Sequence, residues 1–558
     1  MKKILVILIF LVSVECVSAQ TPDWEWVIQA GGSNGDSGWK ICEDNNGNLF
    51  VIGNFYESTS IGSFNLISYG STDIFVAKLD MNGNWLWAES AGGNDDDLGN
   101  GISTDNLGNV FVTGQFLSST ANFGQFNLTN TDPDQEDIFV AKLDTNGNWL
   151  WVESAGGISE DIGQAISSDL NGNIYITGSY GGIANFGQFT LDNVGPYYNF
   201  TDIFVGKLDT DGNWIWVESA GGSHYDKAYG ISTDNNGNVY VNGTIRETAS
   251  LGTLTLTSYG ELDIFTTKLD TEGNWIWARN AGGIMNDLSY GICNDVAGNV
   301  YFTGCIQDST SFGPFTLISD GGWNIFVAKL DTDGNWCWAE KAGGESDWDI
   351  GKAVVTDSNG NVYLTGFFSG TASFGTNILS SVGMRDVFLA KLDADSNWFW
   401  AKSAGGNSYD QGNGICINNA GNIYITGTFQ DTISFDSSIL TSSGESDIFV
   451  AKLSVIGSSA DNISCFNTSL IVNYPNPFNP STTIEFSLPN DSIVDLLIFN
   501  IKGQKIKSLI KNEYTKGSHS IIWNGDDESG KLVSSGIYYY ILNVNGKTEA
   551  VRKCLLLK

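Results

Sequence analysis

Short runs of alternating apolar and polar residues follow one another along most of the chain. In the run Val110–Phe116 (VFVTGQF), apolar side chains alternate with small or polar ones, the period of two that is expected of a β-strand. Ile138–Leu143 and the stretch around Trp149 and Trp151 have the same character, and turns rich in Asp, Asn and Gly separate them. Because there is little helical periodicity, the pattern predicts an all-β protein.

A unit of 61 to 65 residues, marked by two tryptophans with one residue between them, repeats through this region. These pairs contain fourteen of the eighteen tryptophans, and they stand at positions 24/26, 85/87, 149/151, 214/216, 275/277, 336/338 and 398/400. The second unit, for example, has four strand-like runs and two short turns of the form D-x-x-G-N, at 105–109 and 144–148. The Asp can accept hydrogen bonds from backbone N–H groups of the turn, and the Gly supplies the positive φ that closes a hairpin. The first run should therefore pair with the second, and the third with the fourth.

Seven four-stranded antiparallel units predict a seven-bladed β-propeller. The array begins on a fourth strand (Trp24–Gln29) and finishes on a third (Ile448–Leu453), so the N-terminal strand would complete the last blade and remove an exposed edge. The two tryptophans of a pair point to the same face of their strand, and we expect that face to pack against the next sheet. An open stack of repeats is the alternative.

The repeats resemble a known bacterial family. The segment DIFVAKLD, strands of the type GNVFVTG and the A-G-G stop that follows each tryptophan pair are similar to the extracellular propeller repeats called SBBP repeats. The resemblance covers residues 24–453. It implies the propeller fold and says almost nothing about function.

The composition changes at the C-terminal end of the array. Residues 454–468 are rich in Ser, Asn and Gly without periodicity, which predicts a linker between a propeller (20–453) and a second domain (469–558). Six or seven short strand-like runs then predict a small immunoglobulin-like β-sandwich. The segments YPNPFNPSTTIEF (474–486), GQKI (503–506), WNGDDESGKLVSSGIYYY (523–540) and KCLLLK (553–558) resemble a type A sorting domain of the type IX secretion system. That resemblance implies a partnership with the secretion machinery, export across an outer membrane, and release or attachment at the cell surface.

The N-terminus and the charge balance agree with export. Residues 1–19 combine a basic start, an apolar stretch and a small-residue cleavage site, which predicts a signal peptide. No later apolar run reaches the roughly 18 residues that a membrane helix needs, so we predict no transmembrane segment. Residues 20–465 hold 54 acidic and 15 basic side chains, and a surface this acidic repels phosphate backbones. Nucleic acid is therefore not an expected partner.

No catalytic set can be read from the sequence. The chain has two histidines, His224 and His519, and lacks nucleophile-elbow, H-E-x-x-H and P-loop motifs. We predict no cofactor, with calcium left as an alternative because Asp209–Asn213 is similar to the start of a calcium loop. One further Asp recurs ahead of the first strand of each unit, at 36, 97, 161, 226, 287, 349 and 410. We interpret these residues as loop caps or bonds between blades, and a ring of metal ligands is the alternative.

Positions that vary inside the regular frame are the candidates for binding. Three residues after each of these recurring Asp stand Trp39, Asn100, Gln164, Tyr229, Tyr290, Lys352 and Asn413. Aromatic residues also occur off the repeat pattern in the connections. The predicted ligand-binding residues are Trp39, Tyr197, Tyr198, Tyr229, Tyr290, Trp323 and Trp348. Aromatic rings beside amides and carboxylates suit sugars and peptide side chains alike, although packing between blades would explain the same residues.

Three functions fit these observations. The first is a secreted or surface-attached module for binding or adhesion, with polysaccharide or protein as its ligand. The second is a polysaccharide-degrading hydrolase or lyase with its site on the same face. The third is a structural surface-layer protein. The scarcity of histidine favours binding over catalysis.

Overall fold

A computed structural model describes residues 21–169, 171–193, 200–345, 348–454, 469–474, 478–488, 491–500, 502–515, 517–545 and 547–557. These residues form strands, turns and loops, with no helix among them. They fall into two compact units, one within Met1–Gly457 and one within Ser458–Lys558. The predicted signal peptide, and all of the predicted linker except Ser454, lie outside the described residues.

The strands of the first unit come in a repeating order. Its first half contains β1 (Trp24–Gly32), β2 (Ser37–Glu43), β3 (Leu49–Ile61), β4 (Phe64–Leu79), β5 (Trp85–Ala91), β6 (Asp97–Thr104), β7 (Val110–Phe116), β8 (Thr120–Phe123), β9 (Phe126–Thr129), β10 (Asp137–Leu143), β11 (Trp149–Gly157), β12 (Ile162–Ser168), β13 (Ile174–Gly181), β14 (Ile183–Phe186), β15 (Phe189–Asp192), β16 (Thr201–Leu208), β17 (Trp214–Gly222), β18 (Lys227–Thr233), β19 (Val239–Leu251), β20 (Leu254–Leu269) and β21 (Trp275–Ala281). Its second half contains β22 (Leu288–Asn294), β23 (Val300–Ile306), β24 (Ser309–Phe312), β25 (Phe315–Ile318), β26 (Asn324–Leu330), β27 (Trp336–Ala342), β28 (Ile350–Thr356), β29 (Val362–Phe368), β30 (Thr371–Phe374), β31 (Asn377–Ser380), β32 (Asp386–Leu392), β33 (Trp398–Ala404), β34 (Gln411–Ile417), β35 (Ile423–Phe429), β36 (Thr432–Phe435), β37 (Ser438–Thr441) and β38 (Asp447–Leu453).

Four-stranded antiparallel pairing recurs through this unit, as the turn chemistry predicts. The described strands pair in the orders β2-β3-β4-β5, β6-β7-β10-β11, β12-β13-β16-β17, β18-β19-β20-β21, β22-β23-β26-β27, β28-β29-β32-β33 and β34-β35-β38-β1. The first strands of successive sheets lie against one another from β2 to β34, and β34 in turn lies against β2. The row of sheets is therefore closed, which is the arrangement of a β-propeller.

The N-terminal strand belongs to the last sheet. β1 pairs antiparallel with β38, from Trp24 opposite Leu453 to Ala30 opposite Ile448. The predicted pairing between the two ends of the array is thus present, and the backbone of β38 is bonded on both sides.

The D-x-x-G-N turns have the predicted chemistry. In the turn after β16, Asp209 Oδ1 accepts hydrogen bonds from the backbone N–H groups of Asp211 and Asn213, each at 2.9 Å, and Gly212 has a φ of 90°. Burial opposes ionisation of Asp209, but these hydrogen bonds outweigh it and lower the pKa of the carboxyl group. The Asp209 carboxylate therefore stabilises the turn to which it belongs.

Each sheet is buried on both faces, because it packs between two neighbours. All seven residues of β7 are buried, including Thr113 and Gln115, although the alternating sequence is typical of a strand with one polar face. The buried hydroxyl group of Thr113 has a hydrogen-bond partner, because it donates to Phe139 O at 2.8 Å. The polar residues of this alternating pattern therefore do not form a solvent-exposed face, and Thr113 makes its hydrogen bond inside the core.

The two tryptophans of a pair have different neighbours, which corrects the expectation that both pack on the next sheet. Trp149 packs edge-on against Phe123, in the hairpin that connects the second and third strands of its own repeat unit, with the ring centroids 5.2 Å apart. Trp151 reaches the next sheet, where its Nε1 donates to Thr210 O at 3.2 Å and its ring lies over Gly212. The first tryptophan thus holds a blade together and the second joins neighbouring blades.

Small hairpins between the second and third strands are the main feature that the sequence analysis missed. They are formed by β8–β9, β14–β15, β24–β25, β30–β31 and β36–β37, and by continuations of β3–β4 and β19–β20. Each lies beside the A-G-G stop of the preceding sheet. For example, Gly156 and Gly157 at the end of β11 pair with Asn185 and Ala184 of β14. The A-G-G stop is therefore a second junction between sheets.

The second unit has two antiparallel sheets. Its strands are β39 (Ser469–Tyr474), β40 (Thr482–Leu488), β41 (Ser492–Asn500), β42 (Lys505–Tyr514), β43 (Gly517–Trp523), β44 (Gly536–Val544) and β45 (Lys547–Leu556). They pair in the orders β39-β40-β43 and β42-β41-β44-β45. Side chains from both sheets, among them Phe486, Leu496 and Trp523, share one buried core.

Candidate functional site

The seven variable positions are seven β-bulges. In each first strand one residue has no partner on the second strand, because the register shifts by one between its two neighbours. The unpaired residues are Trp39, Asn100, Gln164, Tyr229, Tyr290, Lys352 and Asn413. A bulge locally re-aims a side chain, and here the same bulge recurs at the same place in every sheet. We call these residues the bulge ring.

The bulge ring surrounds one cavity. All seven side chains, joined by Lys40, line a space of about 210 Å³ at the start of the first strands. A second cavity of about 180 Å³ lies along the same strands and is lined mainly by Gly, Ala and aliphatic residues. Lys40, Tyr229 and Tyr290 line both. The polar and aromatic cavity is the candidate site.

Contacts pass from one bulge residue to the next. The rings of Tyr229 and Tyr290 lie with their centroids 5.4 Å apart, and Lys352 Nζ lies 4.1 Å from the centroid of Tyr290. Asn100 and Asn413 donate to backbone oxygens of the next sheet, Gly163 O and Gly38 O, both at 3.0 Å. Packing between blades and lining of the cavity, which the sequence presented as alternatives, are thus properties of the same side chains.

One buried atom of the ring has an unmet hydrogen-bonding requirement. Asn413 is 4% exposed, and its Oδ1 has no hydrogen-bond partner among the described residues. An acceptor of this kind that lines a cavity suits a donor on a ligand, because a buried polar atom without a partner costs free energy.

The cavity is also electrostatically distinctive. Burial, with a smaller contribution from the charge of Lys352, lowers the pKa of Lys40 to about 8. Burial likewise lowers the pKa of Lys352, and the nearby charge of Arg385 acts in the same direction. Two lysine side chains therefore line one cavity in a unit whose overall charge is strongly negative.

A second aromatic cluster lies beside the cavity. The guanidinium carbon of Arg385 lies 5.1 Å from the ring centroid of Trp348, 4.8 Å from that of Phe367 and 5.3 Å from that of Tyr409. Phe367 also faces Lys352, whose Nζ is 5.9 Å from its ring centroid. We call Trp348, Phe367, Arg385 and Tyr409 the arginine cluster, and it is continuous with the bulge ring through Lys352.

The predicted residues divide into three groups. Trp39, Tyr229 and Tyr290 line the cavity, as members of the bulge ring. Trp323 and Trp348 do not line it. Their backbones form a parallel bridge, Trp323 packs near Tyr290 and Phe367, and Trp348 belongs to the arginine cluster. Tyr197 and Tyr198 lie outside the described residues.

Lys40, Arg385 and Tyr409 were missed by the sequence analysis. Lys40 and Arg385 each stand at a place where no other unit has a basic residue, and Tyr409 shares its place only with Tyr225, so the repeat pattern does not draw attention to them. Lys40 stands where other units carry Gly or Ala, and a basic residue at that place in an acidic chain was the available signal.

The recurring Asp residues act as loop caps, as favoured from the sequence. Asp97 Oδ2 accepts from Gly93 N at 2.6 Å and Asp97 Oδ1 accepts from Leu117 N at 3.1 Å, and the residue is fully buried. Burial raises the pKa of Asp97 to about 6, against the effect of its hydrogen bonds. The described residues contain no group of three His, Cys, Asp or Glu side chains that could hold a metal ion. The expectation of no cofactor, with calcium as its alternative, remains a prediction.

Among known proteins, the C-terminal unit has a match to a family model. Residues 472–557 match the model described as "Secretion system C-terminal sorting domain". These residues are a secretion-system sorting domain. The type IX sorting domain predicted from YPNPFNPSTTIEF and the other segments is thereby confirmed. The sorting domain indicates interaction with the secretion machinery and directs the protein to the cell surface or the extracellular space.

The remainder of the chain has more distant relatives. An uncharacterized WD repeat-containing protein of Acanthamoeba polyphaga mimivirus is 25% identical over 503 residues, covering 72% of this chain and 36% of that protein. The chain thus spans about a third of the length of this relative. Among solved structures, a fungal alcohol oxidase of the AA5 family in complex with copper is 13% identical, covering 97% of this chain and 100% of that one, with a TM-score of 0.43.

A second similar structure is PorZ, a bacterial surface component of the type-IX secretion system of Porphyromonas gingivalis. It is 13% identical, and the match covers 93% of this chain and 81% of that one with a TM-score of 0.23. Neither structural similarity is close enough to bear on the activity of this chain. Among the described residues, no helix is long and apolar enough to cross a membrane.

Proposed function

We propose that this protein is a surface-displayed or secreted binding module whose ligand is an extracellular polysaccharide, held in the cavity of the bulge ring. The observation that carries the proposal is the convergence of seven bulges on one cavity. A bulge leaves the ladder of backbone hydrogen bonds incomplete, so seven of them in register represent a cost that a purely structural repeat does not need. What the seven bulges have in common is that they present a side chain to the cavity.

The lining of the cavity favours a saccharide over other ligands. Trp39, Tyr229 and Tyr290 supply flat apolar rings that can stack on a sugar face. Gln164 and Asn413 supply amide groups, and the free Oδ1 of Asn413 can accept a hydrogen bond from a hydroxyl group. Aromatic rings beside polar groups that fix the orientation of a ligand are a common combination in small-ligand sites.

For the scaffold, we infer a seven-bladed propeller of the SBBP type, with its last blade completed by the N-terminal strand. The closed row of sheets and the β1–β38 pairing support this assignment. We infer an immunoglobulin-like sandwich for the sorting domain, because its two antiparallel sheets share one core.

A glycan-array screen of the full chain tests the proposed function. We expect specific binding that is lost in Tyr229→Ala and Tyr290→Ala, because both rings line the cavity. Tyr259→Ala is the matched control, since Tyr259 is 63% exposed and is not part of the cavity lining. A blank array, or binding that survives both cavity substitutions, would contradict the proposal.

A further inference from the structure

Three cations near the cavity have no acidic partner. The side chains of Lys40, Lys352 and Arg385 make no ion pair and no hydrogen bond with another described residue. Most other basic side chains of this unit either form an ion pair or donate to a backbone oxygen, as Lys78 does to Thr145 O at 3.0 Å. The paired ones are Arg246, Lys227, Lys341, Lys402 and Lys452. Residues 20–465 have 54 acidic side chains against 15 basic ones, so an acidic partner could have arisen easily. These three side chains therefore retain free hydrogen-bond donors in or beside the cavity.

Neighbouring members of this set of cations also repel each other. Lys40 and Lys352 line the same cavity, and each lies in the field of the next cation along the series Lys40, Lys352 and Arg385. Partly buried like charges destabilise each other, and a bound anion would turn that repulsion into attraction. The aromatic rings beside them, Tyr290 and Phe367, stabilise a cation without neutralising it.

We propose that the polysaccharide bound by the bulge ring is acidic, and that Lys40 and Lys352 bind the carboxylate of a uronic acid residue. The inference rests on the proposed function and names its ligand class. A uronic acid combines the three features that the cavity can recognise: a ring face for Tyr229 and Tyr290, hydroxyl donors for Asn413 Oδ1, and a carboxylate for the lysines. An acidic peptide would match the charges but would not use the stacked rings and the acceptor together.

The arginine cluster provides the place for a second acidic sugar along the polymer. Arg385 lies against Trp348, which is 45% exposed, and Tyr409, which is 39% exposed. Its guanidinium group can form two parallel hydrogen bonds to one carboxylate, while the exposed rings beside it can stack on the sugar. Lys352 connects this cluster to the cavity through Phe367. A chain of uronic acids therefore meets cations at two neighbouring positions.

Titration calorimetry of the full chain with trigalacturonic acid and with its methyl ester tests the inference. Esterification removes the charge and keeps the sugar rings, so we expect the ester to bind at least about tenfold more weakly, as loss of a charge-assisted hydrogen bond implies. Lys352→Asn and Lys40→Ala should weaken binding of the acid by a similar factor and weaken binding of the ester much less, so that the two ligands bind with nearly equal affinity. Both substitutions use residues that this fold already accepts at the same places, as in Asn413 and Ala165.

Two controls keep the outcomes distinct. Lys341→Asn removes a cation that is paired with Asp320 and should not change affinity. The melting temperature of each variant shows that it is folded. Equal binding of acid and ester, or unchanged affinity in folded Lys352→Asn, would overturn the inference and leave the proposed polysaccharide function standing. Binding of hexaglutamate without binding of trigalacturonate would also overturn it, in favour of an acidic peptide. If no saccharide of any charge binds, the proposed function fails as well.

Discussion

The two ends of the first strands differ in how much their side chains vary from sheet to sheet. At the end with the D-x-x-G-N turns, all seven sheets use the same chemistry, with an Asp or Asn side chain accepting from the backbone N–H groups two and four residues later. At the other end, the same backbone bulge carries five different residue types in seven sheets. The backbone is therefore equally regular at both ends, and only the side chains differ.

Each first strand therefore has one end whose side chains maintain the fold and another end whose side chains are available to bind a ligand. Where a side chain completes a turn or joins two blades, its identity is dictated by geometry that recurs in every sheet. Where a bulge releases the side chain from the ladder, geometry demands only that it fit the cavity. If this view is correct, substitutions at the turn end should cost stability, and substitutions at the bulge end should cost binding.

The largest loss of stability is expected from the second tryptophan of a pair. Trp216→Ala should lower the free energy of unfolding by about 3–5 kcal/mol, because Trp216 is buried, donates to Thr271 O at 3.1 Å and covers Gly273 of the next sheet. Denaturant titration measures the change. Ile215→Ala, one residue away and 44% exposed, is the control and should cost less than about 1 kcal/mol. Equal effects of the two would mean that the tryptophan does not join the blades.

A turn glycine should rank second. Gly212→Ala places a Cβ at a φ of 90° and 3.0 Å from the ring of Trp151, so we expect a loss of about 1–3 kcal/mol in the same titration. The sixth repeat offers a natural contrast, because Ser396 holds the corresponding place at a φ of 69°. Ser396→Gly should therefore raise stability, by about 1 kcal/mol. A loss on Ser396→Gly would show that its bond to Glu340 matters more than backbone strain.

Buried acids near the bulge end give a smaller, pH-dependent effect. Burial, with the nearby charge of Asp386, raises the pKa of Asp410 to about 7, and burial raises that of Asp386 to about 6. Because the folded-state pKa values exceed those of the unfolded chain, the stabilisation is complete below pH 4 and is lost as the pH rises through 6 to 7. The melting temperature should therefore be higher at pH 5 than at pH 8.

Another junction between sheets suggests a conservative test of this effect. Between the fifth and sixth sheets, Asn324 occupies the place that Asp386 holds between the sixth and seventh, and its Nδ2 lies 3.4 Å from Asp349 Oδ2. Asp386→Asn should reproduce that arrangement, raise the melting temperature at pH 8 by about 1–3 °C and make its pH dependence shallower. An unchanged pH profile would mean that this pair does not retain a proton on folding.

The smallest effect on stability is expected in the bulge ring itself. Gln164→Asn and Lys352→Asn should change the free energy of unfolding by less than about 0.5 kcal/mol, because Asn already occupies two of the seven bulges. Their melting temperatures check this. A loss comparable to that of Trp216→Ala would remove the distinction between the two ends.

The sequence predicts features that depend on repeated, local chemistry. The turn of Asp209 and Gly212, the strand pairing and the placement of β1 beside β38 all follow from patterns that recur seven times or stand at the ends of the array. The hairpins such as Thr120–Phe123 with Phe126–Thr129 do not, because four-residue strands are too short to show a period. The separate roles of Trp149 and Trp151 also depend on which sheet lies next to them in space.

The sequence predicts which seven residues line the site, but it does not predict that they lie in β-bulges. Counting from the recurring Asp identified the seven variable residues, yet no local signal distinguishes a bulge from a regular strand residue. The pairing of Gly38 and Lys40 with consecutive residues of β3 is what leaves Trp39 unpaired. Arg385 and Lys40 come together with Lys352 only through the closure of the ring, a tertiary effect that separation along the chain conceals.

The placement of the closing strand has a mechanical consequence. Among the described strands, β38 is the last one before the sorting domain in sequence, so a force applied through that domain is transmitted first to β38. It lies between β35 and β1, and the load must therefore break two ladders of hydrogen bonds at once. If the C-terminal strand were instead the outermost strand of the last sheet, one ladder would hold it, and its hydrogen bonds could break one after another from that edge. The order of strands in the last sheet thus increases the resistance of the first unit to a force applied at its C-terminal end.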